Sequence, residues 1–171
     1  MSNQRIITAM SRITTALAAV LSLASIPLGA QDLQKGLDAY EVGDYTNAIK
    51  EWRPLADQGD VQAQYHLGQM YKYGKGVPQG YADAVKWYGL AAEQGNVLSQ
   101  LSLGRFYQFG EGVIQDNVMA HMWYNLAAAG GSRWGITSRD KIAKEMTSED
   151  ISKAQGMASE CMSSGYKKCG D

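Results

Sequence analysis

The chain has 171 residues, of which 45% are hydrophobic and 19% are charged, and its formal net charge is −1. Its 16 basic residues are scattered among 17 acidic ones, so no run of cations is available to bind a phosphate backbone or an anionic membrane surface. We therefore expect no nucleic-acid partner.

The first 30 residues have the features of a secretory signal peptide. Arg5 and Arg12 precede an uncharged run at residues 13–28, and a polar segment follows Ala30. A membrane anchor is the alternative, but this run of 16 residues is shorter than the roughly 20 that a spanning helix needs. The pattern predicts cleavage after Ala30 and a periplasmic or secreted mature chain, residues 31–171, without stable membrane insertion. Its length, about 140 residues, is that of a single domain.

Residues 63–96 and 99–132 are two copies of one sequence. When the chain is shifted by 36 residues, 15 of these 34 positions are identical, whereas composition alone gives roughly two. In each copy an apolar stripe, a glycine-rich stretch and a second apolar stripe follow one another. The stripes have spacings of three and four, which predict helices, and the glycines supply the positive φ that ends a helix and reverses the chain. Each copy is therefore predicted to be a helix, a glycine turn and a second helix.

The repeated motif resembles that of a known family. LGxxYxxGxGV begins at Leu67 and again at Leu103, and AxxWYxxAAxxG follows it at Ala84 and at Ala120. This pattern is similar to the Sel1-like repeat (SLR), a relative of the tetratricopeptide repeat with a slightly longer unit. The resemblance implies an all-α fold, a short right-handed solenoid of antiparallel helix hairpins.

A shortened copy precedes the two full ones, and a different segment follows them. In the first copy Gly43 and Asp44 replace the long turn, and Trp52 occupies the place of Tyr88. After Gly131 the motif stops, but a helix is predicted to begin near Thr147 and to bury one apolar face. We predict about three repeats, at residues 32–60, 61–96 and 97–132, and a C-terminal helical cap at residues 133–171.

The first helices of the repeats supply the candidate binding residues. In similar repeat proteins these helices line a concave groove that takes up extended segments of other proteins. If Leu67 and Tyr71 face inward, the opposite side of the helix carries the candidates. They are His66, Gln69, Lys72 and Tyr73 in one repeat and Ser102, Arg105, Gln108 and Phe109 in the next. The alternative is that these are ordinary surface residues. The expected partner is a protein or an extended peptide segment, and the chain is expected to be a monomer.

Cys161 and Cys169 are the two cysteines of the chain. An exported chain enters an oxidising compartment, so a disulfide between them is the natural pairing. Free thiols or a redox couple are the alternatives, and the absence of a CxxC spacing argues against a redox role.

The sequence predicts no catalytic residue, no cofactor and no metal site. His66 and His121 lie outside any metal-ligand spacing, and the glycine motifs lack the Lys-Ser or Lys-Thr of a P-loop. Four aromatic residues resemble a sugar-binding platform, but their spacing places them in the core of the repeats. They are Trp87, Tyr88, Trp123 and Tyr124.

The predicted function is that of an exported protein–protein interaction module, an adaptor or scaffold. A chaperone-like or neutralising partner of a co-exported protein is a variant that the sequence does not separate from it. The family resemblance also implies an enzymatic alternative, because some cysteine-rich exported relatives are associated with binding and hydrolysis of β-lactams or peptidoglycan. Those relatives carry a disulfide in each repeat, whereas this chain has one cysteine pair and no SxxK motif.

Overall fold

Helices are the regular elements throughout the part of the chain that the structure describes. The computed structural model describes residues 28–167 and residue 169. No strand occurs within these residues, which confirms the all-α prediction. The helices are α1 (Leu28–Glu41), α2 (Tyr45–Asp57), α3 (Val61–Tyr73), α4 (Tyr81–Ala92), α5 (Val97–Phe109), α6 (Asn117–Ala129), α7 (Arg133–Ile142) and α8 (Ser148–Ser163). A 3₁₀-helix at Ala143–Glu145 follows α7 directly.

The first six helices form three hairpins that are stacked in chain order. Helix α1 packs against α2, α3 against α4, and α5 against α6, while α2 also contacts α3 and α4 contacts α5. Successive hairpins therefore pack directly on one another, and their buried side chains form clusters that cross from one hairpin to the next. This arrangement confirms the predicted stack of about three tetratricopeptide-like hairpins.

Three helix starts lie 36 residues apart and are built in the same way. Asp60 caps α3, Asn96 caps α5 and Ser132 caps α7, each with a side-chain oxygen that accepts a hydrogen bond from a backbone N–H in the first turn. These N–H groups otherwise have no partner within the helix. Helix α7 thus begins in register with α3 and α5, although its own sequence lacks the repeat motif.

Glycines end α3 and α5 where the chain turns back into each hairpin. Gly74 has a φ of 65° and Gly110 a φ of 66°, in the left-handed region that residues with a side chain rarely adopt. Their backbone N–H groups donate to carbonyl oxygens of the preceding helix, at Met70 and Phe106. The predicted role of the motif glycines in helix reversal is therefore what the backbone geometry shows.

In each hairpin, one aromatic ring packs at the point where the two helices are closest to each other. Ideal Cβ atoms placed on Gly68 and Gly104 would lie 2.7 Å and 2.5 Å from the rings of Tyr88 and Tyr124. The N-terminal hairpin uses the same device, with Gly36 under the Trp52 ring. Trp52 therefore takes the place of Tyr88, as the sequence predicts.

Both helices of the C-terminal segment pack against α6. Helix α7 continues the stack as a further first helix, whereas α8 has its main contact with α6 rather than with α7. Thr147 caps α8, and Ala154, Ala158 and Cys161 are buried in the core that contains Trp123. The segment predicted as a C-terminal helical cap thus contains one helix that extends the stack and one that turns back over it.

The end of the described chain is fastened to α8. A disulfide joins Cys161 and Cys169, whose Cα atoms are 4.7 Å apart. Between them, Tyr166 packs against the main core, and its ring lies beside Gly95 in the turn between α4 and α5. The loop closed by the disulfide therefore contacts a repeat distant from it in sequence.

The predicted signal peptide lies almost entirely outside the described residues. Helix α1 begins at Leu28, so only the last three residues before the predicted cleavage position belong to it. Among the residues that the structure describes, no helix is long and apolar enough to cross a membrane.

Candidate protein-binding groove

The predicted binding residues divide into exposed and half-buried groups. Tyr73 and Phe109, one repeat apart at the ends of α3 and α5, are 57% and 61% exposed, and Arg105 is also exposed. The half-buried residues are His66, Gln69, Lys72, Ser102 and Gln108. Helical periodicity places all of them on the open side of the first helices, but it does not show which are covered by the neighbouring hairpin.

His66 is covered by the preceding hairpin. Its imidazole stacks on the Trp52 ring, with centroids 4.5 Å apart and planes inclined by 14°. Burial lowers the pKa of His66 from its ordinary value, and the more distant Asp60 carboxylate opposes this shift only partly. His66, a predicted binding residue, is therefore half-buried and packs against the preceding hairpin.

Serine takes the position of His66 in the next two units. Each of His66, Ser102 and Ser138 lies 14 residues after the aromatic residue of the preceding second helix. The Ser102 and Ser138 hydroxyls oppose the rise that burial causes in the pKa of Tyr88 and Tyr124, while Ser102 Oγ donates its hydrogen bond to the Leu98 carbonyl oxygen. The aromatic rings of the core thus reach the groove, where these small polar residues cover their outer ends.

Two glutamine candidates are engaged in hydrogen bonds within the groove. Gln69 donates to the Tyr65 hydroxyl at 2.6 Å, and the Tyr124 hydroxyl donates to Gln108 Oε1 at 2.7 Å. Burial is the main cause that raises the pKa of Tyr124 to about 12, so its phenol stays protonated and remains a donor. These amides are held in fixed positions on the groove surface.

A cavity of about 230 Å³ lies between the first helices of three successive units, and we call it the groove pocket. Helix α3 contributes Lys72 to its wall, and α7 contributes Trp134 and Ser138. The remaining lining residues are Leu101, Ser102 and Arg105 from α5 and Tyr124 from α6. The pocket therefore exists only because α7 continues the stack.

Trp134 lines the groove, although it is not among the predicted binding residues. Its side chain is 73% exposed, and it lines both the groove pocket and a second cavity of about 270 Å³ with Arg133 and Thr137. A signal was available, because Gly131 and Ser132 lie 36 residues after Gly95 and Asn96. That spacing places α7 in register and Trp134 at the position equivalent to Leu98, even without the repeat motif.

The charges that line the groove pocket are both positive. The Lys72 Nζ atom lies 5.1 Å from the centre of the Tyr73 ring and 5.8 Å from that of Phe106, within cation–π range. Arg105 has one carboxylate partner, Glu111, at a distance of 4.0 Å, the limit of an ion pair. No lining residue is acidic, so the pocket has positive potential in a chain that is negative overall.

The four aromatic residues considered for a sugar platform are buried, as core packing predicts. Trp87, Tyr88, Trp123 and Tyr124 all belong to the buried core. His121 is 2% exposed, and its Nδ1 atom has no hydrogen-bond partner. Within the residues that the structure describes, no group of three or more His, Cys, Asp or Glu side chains is placed to hold a metal ion.

Comparisons with known proteins agree with this architecture. The Sel1 repeat family matches residues 61–96 and 97–132. A Sel1 repeat protein from Oxalobacter formigenes is 34% identical, with a TM-score of 0.56, and the match covers 67% of this chain and 91% of that protein. The protein c5321, described as a protective antigen of uropathogenic Escherichia coli strains with an SLR fold, is 26% identical with a TM-score of 0.76. That match covers 84% of this chain and 31% of c5321, and no curated protein sequence matches the chain.

The chain belongs to the Sel1 repeat family. Sel1 repeat proteins generally mediate protein–protein interactions, and their fold is typically a non-catalytic module. This general role of the family agrees with a groove that is built from the first helices of successive repeats.

Proposed function

We propose that the mature chain is an exported adaptor or scaffold that binds an extended segment of a partner protein along the first helices of its repeats. The observation that carries the proposal is the presence of an exposed aromatic side chain on each of three successive first helices. Tyr73, Phe109 and Trp134 lie on α3, α5 and α7 and are each more than half exposed. Large aromatic side chains commonly dominate the energy of protein interfaces, because they bury a large area at a low entropic cost.

An extracytoplasmic location is part of the proposal. The signal-like pattern of residues 1–30 supports it, and so does the pairing of Cys161 with Cys169, because disulfides persist in oxidising compartments. After cleavage at Ala30 the chain would act as a monomer whose groove is open to its partner.

Residue-specific photocrosslinking in the exported fraction tests this function. A photoreactive phenylalanine analogue at position 73 or 109 should yield one common crosslinked protein, because both positions face the same bound segment. The matched control places the analogue at exposed Gln155 on α8, away from the groove, and should yield none. Equal crosslinking from all three positions, or no crosslinking from the groove positions, would contradict the proposal.

The geometry of the described residues does not support hydrolysis of β-lactams or peptidoglycan. The buried imidazole of His121 is closed off from solvent, and His66 is stacked on a tryptophan ring. We therefore expect the mature chain to show no turnover of these substrates beyond that of an unrelated exported protein.

A further inference from the structure

We propose that the groove pocket is a specificity site for a peptide carboxylate that lies next to a large apolar side chain. The inference rests on the proposed function, and it names the chemistry of the segment that the groove takes up. The occupant is a segment of a partner protein, and the carboxylate is that of an Asp or Glu side chain within the segment.

The first argument is the unbalanced charge of the pocket. Lys72 and Arg105 line the same cavity, and the lining residues include no acidic group. Two like charges at one cavity repel each other, and a bound anion relieves that repulsion. Glu111 is 4.0 Å from Arg105 and does not line the pocket, so the guanidinium keeps donors free for a second carboxylate.

The second argument is the apolar surface beside these cations. The Trp134 ring is 73% exposed at the rim, and Leu101 and Tyr124 contribute to the wall. A volume of about 230 Å³ is below the roughly 300 to 1,000 Å³ of sites that enclose a whole small molecule. The pocket therefore suits one side chain of a bound segment, with the rest of that segment lying along the groove.

The third argument concerns the origin of the pocket wall. Trp134 and Ser138 belong to α7, which lies in the segment predicted only to cap the stack. Burial against α6 does not require an exposed tryptophan, since α7 is anchored through buried Gly135 and Ile142. The exposed ring of Trp134 thus gives the capping helix a second role, as part of the binding surface.

Selection of peptides on the mature chain tests the inference. A phage-displayed library of random 12-residue peptides is selected on the immobilised chain, and recovered sequences are synthesised with a fluorescent label. We expect them to combine a carboxylate with a neighbouring aromatic or leucine residue. Replacing that carboxylate by its amide should weaken binding to the wild type about tenfold, as expected for loss of one charge-assisted hydrogen bond.

Matched variants place the effect in the pocket. Arg105→Gln should weaken the carboxylate peptide about tenfold and leave the amide peptide nearly unaffected, because the two changes remove the same interaction. Trp134→Ala should weaken both peptides. The controls are Lys153→Gln, an exposed cation on α8, and Ile136→Ala, an exposed apolar residue on α7 outside the pocket, and neither should matter.

The outcomes separate failure of the inference from failure of the proposed function. Two results overturn the inference and leave the groove function standing. In one, the selected peptides lack a carboxylate. In the other, they bind Arg105→Gln and Trp134→Ala normally, while Tyr73→Ala weakens their binding. If no peptide is selected although positions 73 and 109 crosslink a protein, the inference again fails alone. If a soluble disaccharide–peptide fragment of peptidoglycan binds through Trp134 and the peptides do not, the occupant class is wrong. Failure of both peptides and crosslinks contradicts the function as well.

Discussion

At the scale of single residues, the structure depends on pairs of a glycine and an aromatic ring. Each hairpin places a ring of its second helix directly over a glycine of its first helix, and an ideal Cβ on Gly104 would lie 2.5 Å from the Tyr124 ring. No real contact is so short, so any side chain at this position forces the ring or the helix to move. The motif glycine of the first helix is therefore a packing requirement.

Gly104→Ala should destabilise the chain by about 1 to 3 kcal/mol, because it overpacks a core without free space. The measurement is urea denaturation of the purified mature chain. Gly156→Ala on α8 is the matched control, since a Cβ there meets nothing within 4 Å. That control should raise stability by about 0.5 to 1 kcal/mol through helix propensity. Equal effects of the two substitutions would show that the close approach at Gly104 is not real.

Buried His121 should make stability depend on pH. Burial lowers its pKa from the ordinary 6.5, the nearby Arg139 charge lowers it further, and Asp140 acts in the opposite direction. Since the folded state holds the proton less tightly than the unfolded state, stability is complete above about pH 6.5 and declines as the pH falls below that value. His66, whose pKa is also lowered by burial, contributes with the same sign.

Denaturation at pH 7.5 and pH 5.5 measures this dependence. The loss of unfolding free energy between the two pH values should be smaller in His121→Gln than in the wild type. It should be smallest in the double variant His66→Gln/His121→Gln. An unchanged loss in the double variant would mean that neither imidazole is buried in its neutral form.

At the scale of helices, the sequence predicts the repeated parts well and the C-terminal segment only in part. The glycine turns, the hairpin pairing and the position of Trp52 follow from local patterns, because each depends on spacing within one unit. The helix against which α8 packs does not follow from local patterns. The apolar face of α8 fits either α7 or α6, and periodicity does not distinguish between them. Local patterns also do not predict the environment of His66, because the Trp52 ring that covers it comes from another hairpin.

The disulfide should stabilise the C-terminal end of α8 in its packed position on the stack. It joins Cys161 to Cys169, eight positions further along the chain, and loop entropy for a ring of this size predicts about 2.5 kcal/mol. Reducing agent should lower the melting temperature of the wild type accordingly. The variant Cys161→Ala/Cys169→Ala should already melt lower and should not respond to reductant. A wild type that melts at the same temperature with and without reductant would contradict this role.

At the scale of the whole molecule, three hairpins and α7 together form the face that we propose as the binding face. Exposed aromatic side chains recur on α3, α5 and α7, while the second helices bury Trp52, Trp87, Tyr88, Trp123 and Tyr124. The groove pocket joins residues of α3, α5 and α7 that lie more than 60 positions apart in the sequence, from Lys72 to Ser138. Only their stacking brings them together, so residue types alone do not reveal this site.

The most direct test of the binding face is calorimetric titration of the crosslinked partner, once purified, against two forms of the mature chain. Tyr73 and Phe109 are exposed and belong to no buried cluster, so the variant Tyr73→Ala/Phe109→Ala should keep the melting temperature of the wild type. Its binding free energy should weaken by at least about 2 kcal/mol, the effect of removing an interface hot spot. Unchanged affinity in a folded variant would contradict the account, because the partner would then bind elsewhere than along the first helices.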